Sequence, residues 1–249
     1  MCIRDRLFGD QHPAYSVSLN NLAFVSNRLA KYEEAEILYK ETLAIREQKF
    51  GKEHQEYIRA YINLGMLYST IGRYSIAEQI LLESLELIKA KLGSSHQLFA
   101  QAHNQLAAIY SEMGNRLKAV ESHEVSLKEF ERILGPNHFN VGHVYTLLAR
   151  LNHQDRDLAD SLYNKSLSIF NSSVGSKKSE YYPGALLHYS GFLSSIGSYG
   201  DALKYADEAQ NIYQERYGEE HVYYAMVLRR KGNMYPVSYT HLRAHETLR

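Results

Sequence analysis

The chain has 249 residues, of which 45% are apolar and 22% are charged, which is an ordinary composition for a globular domain and too apolar for a disordered chain. Lys and Arg number 28, as do Asp and Glu, so no net charge draws the chain to nucleic acid or to an anionic membrane. No stretch approaches the ~18 uninterrupted apolar residues of a membrane span. The lone cysteine cannot form an internal disulfide, and we expect a cytoplasmic protein.

The two ends are predicted to be translated sequencing adapter. Residues 1–6 and 237–247 back-translate to DNA in which one core is the reverse complement of the other, and both resemble a transposase adapter used in library preparation. Two unrelated protein termini rarely encode complementary DNA. We therefore set residues 1–6 and 236–249 aside before interpreting the fold. Met1 is then not a native start, so the sequence leaves a signal peptide open.

Between these ends, residues 7–235 carry an internal repeat. A Gly-x-x-His element recurs at a constant interval and returns near the C-terminus, at Gly9, Gly51, Gly93, Gly135 and Gly218. An alanine column keeps the same register, at Ala35, Ala77, Ala119, Ala159 and Ala202, and so does a leucine column at Leu22, Leu64, Leu106 and Leu148. Such columns indicate structural repeats, with predicted units at about 9–50, 51–92, 93–134, 135–174, 175–217 and a truncated 218–235.

Each unit is predicted to contain two helices. In the first unit, small and apolar side chains follow the i, i+3, i+4, i+7 pattern from Leu19 to Ser26 and again from Ala35 to Leu43, which is typical of amphipathic helices. The break near residues 29–31 is short, and later units place a glycine there. Because a short connection forces antiparallel packing, we predict an all-α fold of stacked helix hairpins.

These residues carry a resemblance to a known family. Units such as LNNLAFVSNRLAKYEEAEILYKETLAIREQKFGKEH resemble tetratricopeptide repeats of the kinesin light chain type, which have 42-residue units. The resemblance implies a right-handed superhelical solenoid of about five and a half repeats, with first helices lining a concave groove and second helices forming the outer wall. HEAT or armadillo repeats have similar lengths but lack the Tyr-x-x-Ala and Gly-x-x-His register.

The candidate binding residues are first-helix positions outside the packing columns. The principal candidates are Asn20, Asn21, Arg59, Asn63, Gln101, Asn104, Gln105, His143 and Arg150, and the same register also selects Val17, Phe24, Asn27, Arg28, Ile62, Met66, Thr146 and His188. Asn21, Asn63 and Gln105 share one column, and a carboxamide both donates and accepts hydrogen bonds. The resemblance implies that this column pairs with the backbone of an extended peptide, although Leu147 interrupts it in the fourth unit.

Two alternatives for these side chains stay open. The carboxamides also suit an ordinary solvated helix face. Arg59 and Arg150 could pair with acidic groups of a ligand or with its C-terminal carboxylate. The alternative is that each forms a surface salt bridge worth ~0–1 kcal/mol.

No metal, cofactor or catalytic site is predicted. His12, His54, His96 and His138 recur once per unit, but neighbouring helices pack ~8–10 Å apart, too far for a shared ion with bonds of ~2 Å, so we expect a structural role. The sequence contains no G-x-S-x-G, no P-loop and no G-x-G-x-x-G.

The sequence therefore predicts a non-catalytic scaffold that binds a protein or peptide in the groove, without nucleic acid or membrane partners. The alternative is a sensor or regulatory segment of a larger protein, with a DNA-binding, kinase or caspase-like protease domain elsewhere.

Overall fold

A computed structural model describes residues 13–172 and 178–247, with side chains from residue 15 and as far as residue 234. Within these ranges the chain forms helices and no strand. The helices are α1 (Pro13–Arg28), α2 (Tyr32–Phe50), α3 (Gln55–Thr70), α4 (Tyr74–Lys91), α5 (Gln97–Glu112), α6 (Arg116–Leu134), α7 (Phe139–Leu151), α8 (Arg156–Ser172), α9 (Tyr181–Ser195), α10 (Tyr199–Tyr217) and α11 (Val222–Thr247).

Consecutive helices form hairpins, and the chain divides into two compact units. The N-terminal unit spans Met1–Ile133 and the C-terminal unit spans Leu134–Arg249. The closest helix pairs are α1 with α2, α3 with α4, α7 with α8, and α9 with α10. First helices also pack side by side, α3 with α5 in the N-terminal unit and α9 with α7 and α11 in the C-terminal unit. The predicted all-α fold of stacked helix hairpins is confirmed.

The alanine column lies on the buried side of the second helices. Its five members, in α2, α4, α6, α8 and α10, are completely buried: Ala35, Ala77, Ala119, Ala159 and Ala202. A methyl side chain lets two helix backbones approach without a void, whereas a larger side chain would force them apart. The small residue at this position is therefore needed for the two helices of the hairpin to pack closely.

The Gly-x-x-His element forms the junction between units. Gly51 ends α2 with φ of 81°, a backbone conformation that side chains rarely adopt. His54 follows as the N-cap of α3, and its side chain accepts a hydrogen bond from the backbone N–H of Glu56. The first copy of the element, at Gly9 and His12, lies outside the described residues.

Of the two segments attributed to adapter, residues 1–6 also lie outside the described residues. Residues 236–247 continue α11 as helical backbone, and residues 248–249 again lie outside.

Candidate peptide-binding face

The carboxamide column lies on the first helices of the N-terminal unit. Asn21 on α1 is exposed, and Asn63 on α3 and Gln105 on α5 are half-buried. Asn63 Nδ2 donates to Asn20 Oδ1 across 3.0 Å, which joins α3 to α1. We call the side of α1, α3 and α5 that carries these carboxamides the first-helix face. Because one amide hydrogen of Asn63 is already used within the protein, the orientation of the Asn63 side chain is fixed.

A small cavity opens beside this column. Its volume is about 120 Å³, several times the ≈ 30 Å³ share of one water molecule. Gln105 and Met66, both predicted from the register, lie in its wall. The rest of the lining mixes hydroxyl groups with apolar side chains: Ser69, Thr70, Leu81, Ala108 and Ile109. The cavity is therefore large enough for one amino-acid side chain and offers it both polar and apolar contacts.

Three buried polar atoms on these helices have no hydrogen-bond partner: Asn27 Oδ1, His103 Nδ1 and Asn104 Oδ1. His103 also meets Phe99 edge to face at 4.6 Å between ring centroids. The pKa of His103 is lowered to about 4, mainly by burial and also by Lys89, so the ring is neutral at pH 7. A buried polar atom without a partner is costly, so these three atoms lower the stability of the folded chain.

The remaining candidates of the N-terminal unit are less constrained. Arg59 is exposed, and its Nη2 lies 4.0 Å from Glu56 Oε1, a weak surface ion pair. Gln101, one helical turn before Gln105, is half-buried. The salt-bridge alternative for Arg59 is therefore as compatible with the structure as a ligand contact.

Two register positions were assigned wrongly. Ile62 is 5% exposed and Thr146 is 2% exposed, so neither lies on an open face. Ile62 belongs to the apolar core of the N-terminal unit. The Thr146 hydroxyl lies 2.7 Å from Ser166 Oγ and 3.3 Å from the backbone oxygen of Gly142. Thr146 therefore faces the interior between α7 and α8, where Ser166 and Gly142 provide the hydrogen-bond partners of its hydroxyl group.

In the C-terminal unit the candidates belong to a cluster of basic side chains. His143 stacks on Tyr181 with ring centroids 4.0 Å apart. The pKa of His143 is lowered to about 4, first by burial and then by Arg150. Burial also lowers the pKa of His188 to about 4, with further contributions from Arg150, Arg230 and His143. We call His143, Arg150, His188, Arg229 and Arg230 the basic cluster.

Sequence reasoning missed Arg230, although a signal was present. Leu147 holds the column position in the fourth repeat. The intervals from Leu147 to His188 and from His188 to Arg230 are nearly the same as the interval from Asn21 to Asn63. Both therefore occupy, in the sequence register, the position that Asn21, Asn63 and Gln105 occupy in the first three repeats. Following that column into the truncated last unit would have identified Arg230.

Among the residues that the structure describes, no group of three or more His, Cys, Asp or Glu side chains is placed to hold a metal ion. None of the described helices is long and apolar enough to cross a membrane.

Comparisons with known proteins identify the repeat. The sequence profile of the tetratricopeptide repeat family matches residues 3–48, 15–90 and 98–172, more than half of the chain. No curated protein matches the sequence. The solved structure of BtubC (BKLC) from P. vanneervenii is similar at a TM-score of 0.68 and 22% identity, covering 83% of this chain and 82% of that chain.

A kinesin light chain repeat protein of Podosopora anserina is similar at a TM-score of 0.62 and 19% identity, covering 83% of this chain and 98% of that chain. A variant of that protein with a single substitution gives a TM-score of 0.63 at 19% identity, covering 82% of this chain and 97% of that chain. At these identities the likeness is one of fold, and it confirms the resemblance predicted from the repeated units.

Proposed function

We propose that this chain, which belongs to the tetratricopeptide repeat family, is a non-catalytic scaffold that binds an extended peptide segment of a protein partner on its first-helix face. Its fold is a repeat scaffold of a kind that typically mediates protein–protein interaction. The observation that carries the proposal is the carboxamide column of Asn21, Asn63 and Gln105, in which Asn63 is oriented by its bond to Asn20 and Gln105 lies in the wall of an open cavity.

The spacing of these side chains suits an extended chain. Neighbouring helices pack ~8–10 Å apart, and an extended peptide advances ~3.3 Å per residue. Carboxamides on successive helices therefore meet peptide groups about three residues apart. Since each carboxamide offers both a donor and an acceptor, it pairs with a peptide N–H or C=O whatever the ligand sequence is. The cavity at Met66 and Gln105 then contributes selectivity by accepting one side chain.

The test compares the column with matched carboxamides on second helices. Peptides that bind the wild-type chain are first selected from a displayed library, and their affinities are then measured by fluorescence anisotropy. We expect Asn21→Ala combined with Asn63→Ala to weaken binding by about tenfold, because each lost hydrogen bond contributes about 0.5–1.5 kcal/mol.

The control combines Gln48→Ala with Gln79→Ala, which removes two carboxamides from α2 and α4 and leaves the first-helix face intact. We expect this control to bind as the wild type does. Equal affinity of the column variant and the control for every selected peptide would remove the proposal.

A further inference from the structure

We propose that the cavity between α9 and α11 binds a phosphate group carried by a peptide, held by the guanidinium groups of Arg229 and Arg230. This inference rests on the proposed function, because the peptide would be a ligand of the same repeat array. It concerns the C-terminal unit alone.

The cavity has a volume of about 330 Å³ and a lining that donates hydrogen bonds. Its polar side chains are Ser194, Arg229, Arg230 and Asn233, and no acidic residue is among its lining. A hydroxyl, an amide and two guanidinium groups together present many N–H and O–H donors. An anion rich in acceptor oxygens is the complementary ligand.

Arg230 is held over a glycine at the edge of this cavity. Its Nη1 donates to the backbone oxygen of Leu187 across 2.9 Å. A Cβ atom on Gly191 would lie 1.8 Å from the same Nη1, so the missing side chain makes room for the guanidinium. One of the five guanidinium N–H groups is used by the Leu187 carbonyl, and this contact fixes the orientation of the others.

The positive charge at this site is not balanced by acids. Within residues 13–172 and 178–234, Arg150, Arg229 and Arg230 form no ion pair. Lys231, the next residue along α11, is paired with Asp207 at 2.5 Å. The pKa of Arg230 is lowered by burial and by Arg229 and Arg150, whereas Tyr163 opposes this shift. Unbalanced like charges beside a cavity raise the local positive potential, which a bound anion would relieve.

A phosphate group suits this site better than a carboxylate. A phosphorylated side chain carries about −1.5 to −2 charges at pH 7 and three strong acceptor oxygens, whereas a carboxylate carries about −1. The two arginines of the lining, with the charge of Arg150 also acting on Arg230, therefore favour the group of higher charge. Guanidinium forks also form paired hydrogen bonds with phosphate oxygens. A cavity of about 330 Å³ also has room for the side chain that bears the phosphate.

The experiment titrates the full chain with N-acetylphosphoserine amide, N-acetylglutamic acid amide and inorganic phosphate. Binding is followed through the NMR signals of the arginine side-chain Nε–H groups. We expect the phosphoserine probe to shift the Arg229 and Arg230 signals and to bind at least tenfold more tightly than the glutamic acid probe. Equal affinity of the two amides would overturn the assignment to phosphate, and inorganic phosphate binding as tightly as phosphoserine amide would overturn a peptide-borne ligand.

Three variants test the residues. Arg229→Gln and Arg230→Gln should each weaken phosphoserine binding at least fivefold. Gly191→Ala should do the same without any change of charge, because the new methyl group displaces the Arg230 guanidinium. Circular dichroism verifies that each variant is folded, which matters for Arg230 because it bonds to the Leu187 carbonyl.

The matched control is Lys204→Gln, which also removes one positive charge but lies on α10, where Lys204 is exposed and paired with Asp201. We expect it to leave phosphoserine affinity unchanged. If Lys204→Gln and Arg229→Gln lost the same phosphoserine affinity, overall charge would account for the effect and the proposed site would be wrong. If the phosphoserine probe did not bind, the test of peptide binding on the first-helix face would be unaffected. The two proposals are therefore tested separately.

Discussion

The Nδ1 atom of His54 accepts a hydrogen bond from the backbone N–H of Glu56 at 3.2 Å, so a histidine side chain caps α3. The same bond, at the same length, recurs from Leu98 to His96, from Asn140 to His138 and from Tyr223 to His221. A helix N-terminus leaves backbone N–H groups without intrahelical partners, and a side-chain acceptor at the N-cap satisfies one of them. Capping therefore explains the periodic histidines that the structure describes, His54, His96, His138 and His221.

Removing one of these caps should destabilise the chain. His54 also stacks on Phe50, and the ring of His138 contacts that of Phe139, so His96 gives the clearest measurement. We expect His96→Ala to lower the free energy of unfolding by about 0.5–2 kcal/mol, and His96→Asp to restore most of it, because aspartate is a good N-cap acceptor. Urea denaturation followed by circular dichroism measures both. Equal stability of the alanine and aspartate variants would contradict a capping role.

Acid should destabilise the C-terminal unit through its buried histidines. The pKa of His188 falls from 6.5 to about 4 in the folded chain, first because of burial and then because of Arg150, Arg230 and His143. The folded state thus disfavours the proton, so the stability that neutral His188 contributes is present above pH 6.5 and is lost as the pH falls through about 4. We expect the urea midpoint to decline from pH 6.5 to pH 5.

The matched variants separate this histidine from other titrating groups. His188→Gln should make the decline shallower, with His143 and His103 responsible for the part that remains. His153→Gln, at an exposed position, should not change it. Carboxylates with a lowered pKa, such as Glu36 and Glu83, lose their contribution to the free energy of unfolding only below pH 4.5. They therefore do not dominate the change between pH 6.5 and pH 5. An unchanged pH profile in His188→Gln would show that the ring does not titrate as described.

A tyrosine–carboxylate bond joins the first two hairpins. Tyr68 on α3 donates its hydroxyl hydrogen to Glu36 Oε1 on α2 across 2.9 Å, and a bond from Lys40 together with this one lowers the pKa of Glu36. We expect Tyr68→Phe to lower the free energy of unfolding by about 0.5–1.5 kcal/mol and to raise the pKa of Glu36. Thermal unfolding and carboxylate NMR titration measure these effects. Tyr74→Phe is the control, and an equal loss there would point to a general effect of the hydroxyl.

The repeat register predicted the fold well because each column has one packing role. Ala35 and Ala77 are both completely buried, so the periodicity of the alanine column alone located buried positions on the second helices. The same reasoning failed for Leu22, which is 48% exposed although Leu64 in the same column is 5% exposed. The leucine column lies on the first helices and is covered by the second helix of the preceding unit, as α3 is covered by α2. No described helix precedes α1, so Leu22 has no such cover within the described residues.

The candidate site was harder to predict because side-chain environment does not follow from register. Asn20 and Asn63 were both assigned to the face, but their mutual hydrogen bond depends on the offset between α1 and α3. Gly191 gave no signal at all, since its role is to leave space for the side chain of Arg230, which belongs to the next repeat. Contacts of this kind are set by how helices from different repeats meet.

The turn within the first hairpin stores backbone strain. Ala30 has φ of 58°, where three later hairpins place Gly72, Gly114 and Gly197, and Gly72 has φ of 78°. A left-handed conformation costs a residue with a Cβ roughly 1–2 kcal/mol, and glycine avoids this cost but loses about 0.4–1 kcal/mol through greater freedom in the unfolded chain.

We therefore expect Ala30→Gly to raise the free energy of unfolding by about 0.5–1 kcal/mol and Gly72→Ala to lower it by a similar amount. A Cβ on Gly72 would meet no atom within 4 Å, so the second change reports backbone conformation and not a steric clash. Urea denaturation of the two single variants measures both effects. Because the substitutions are reciprocal, changes of the same sign in both variants would rule out strain at Ala30 as the cause.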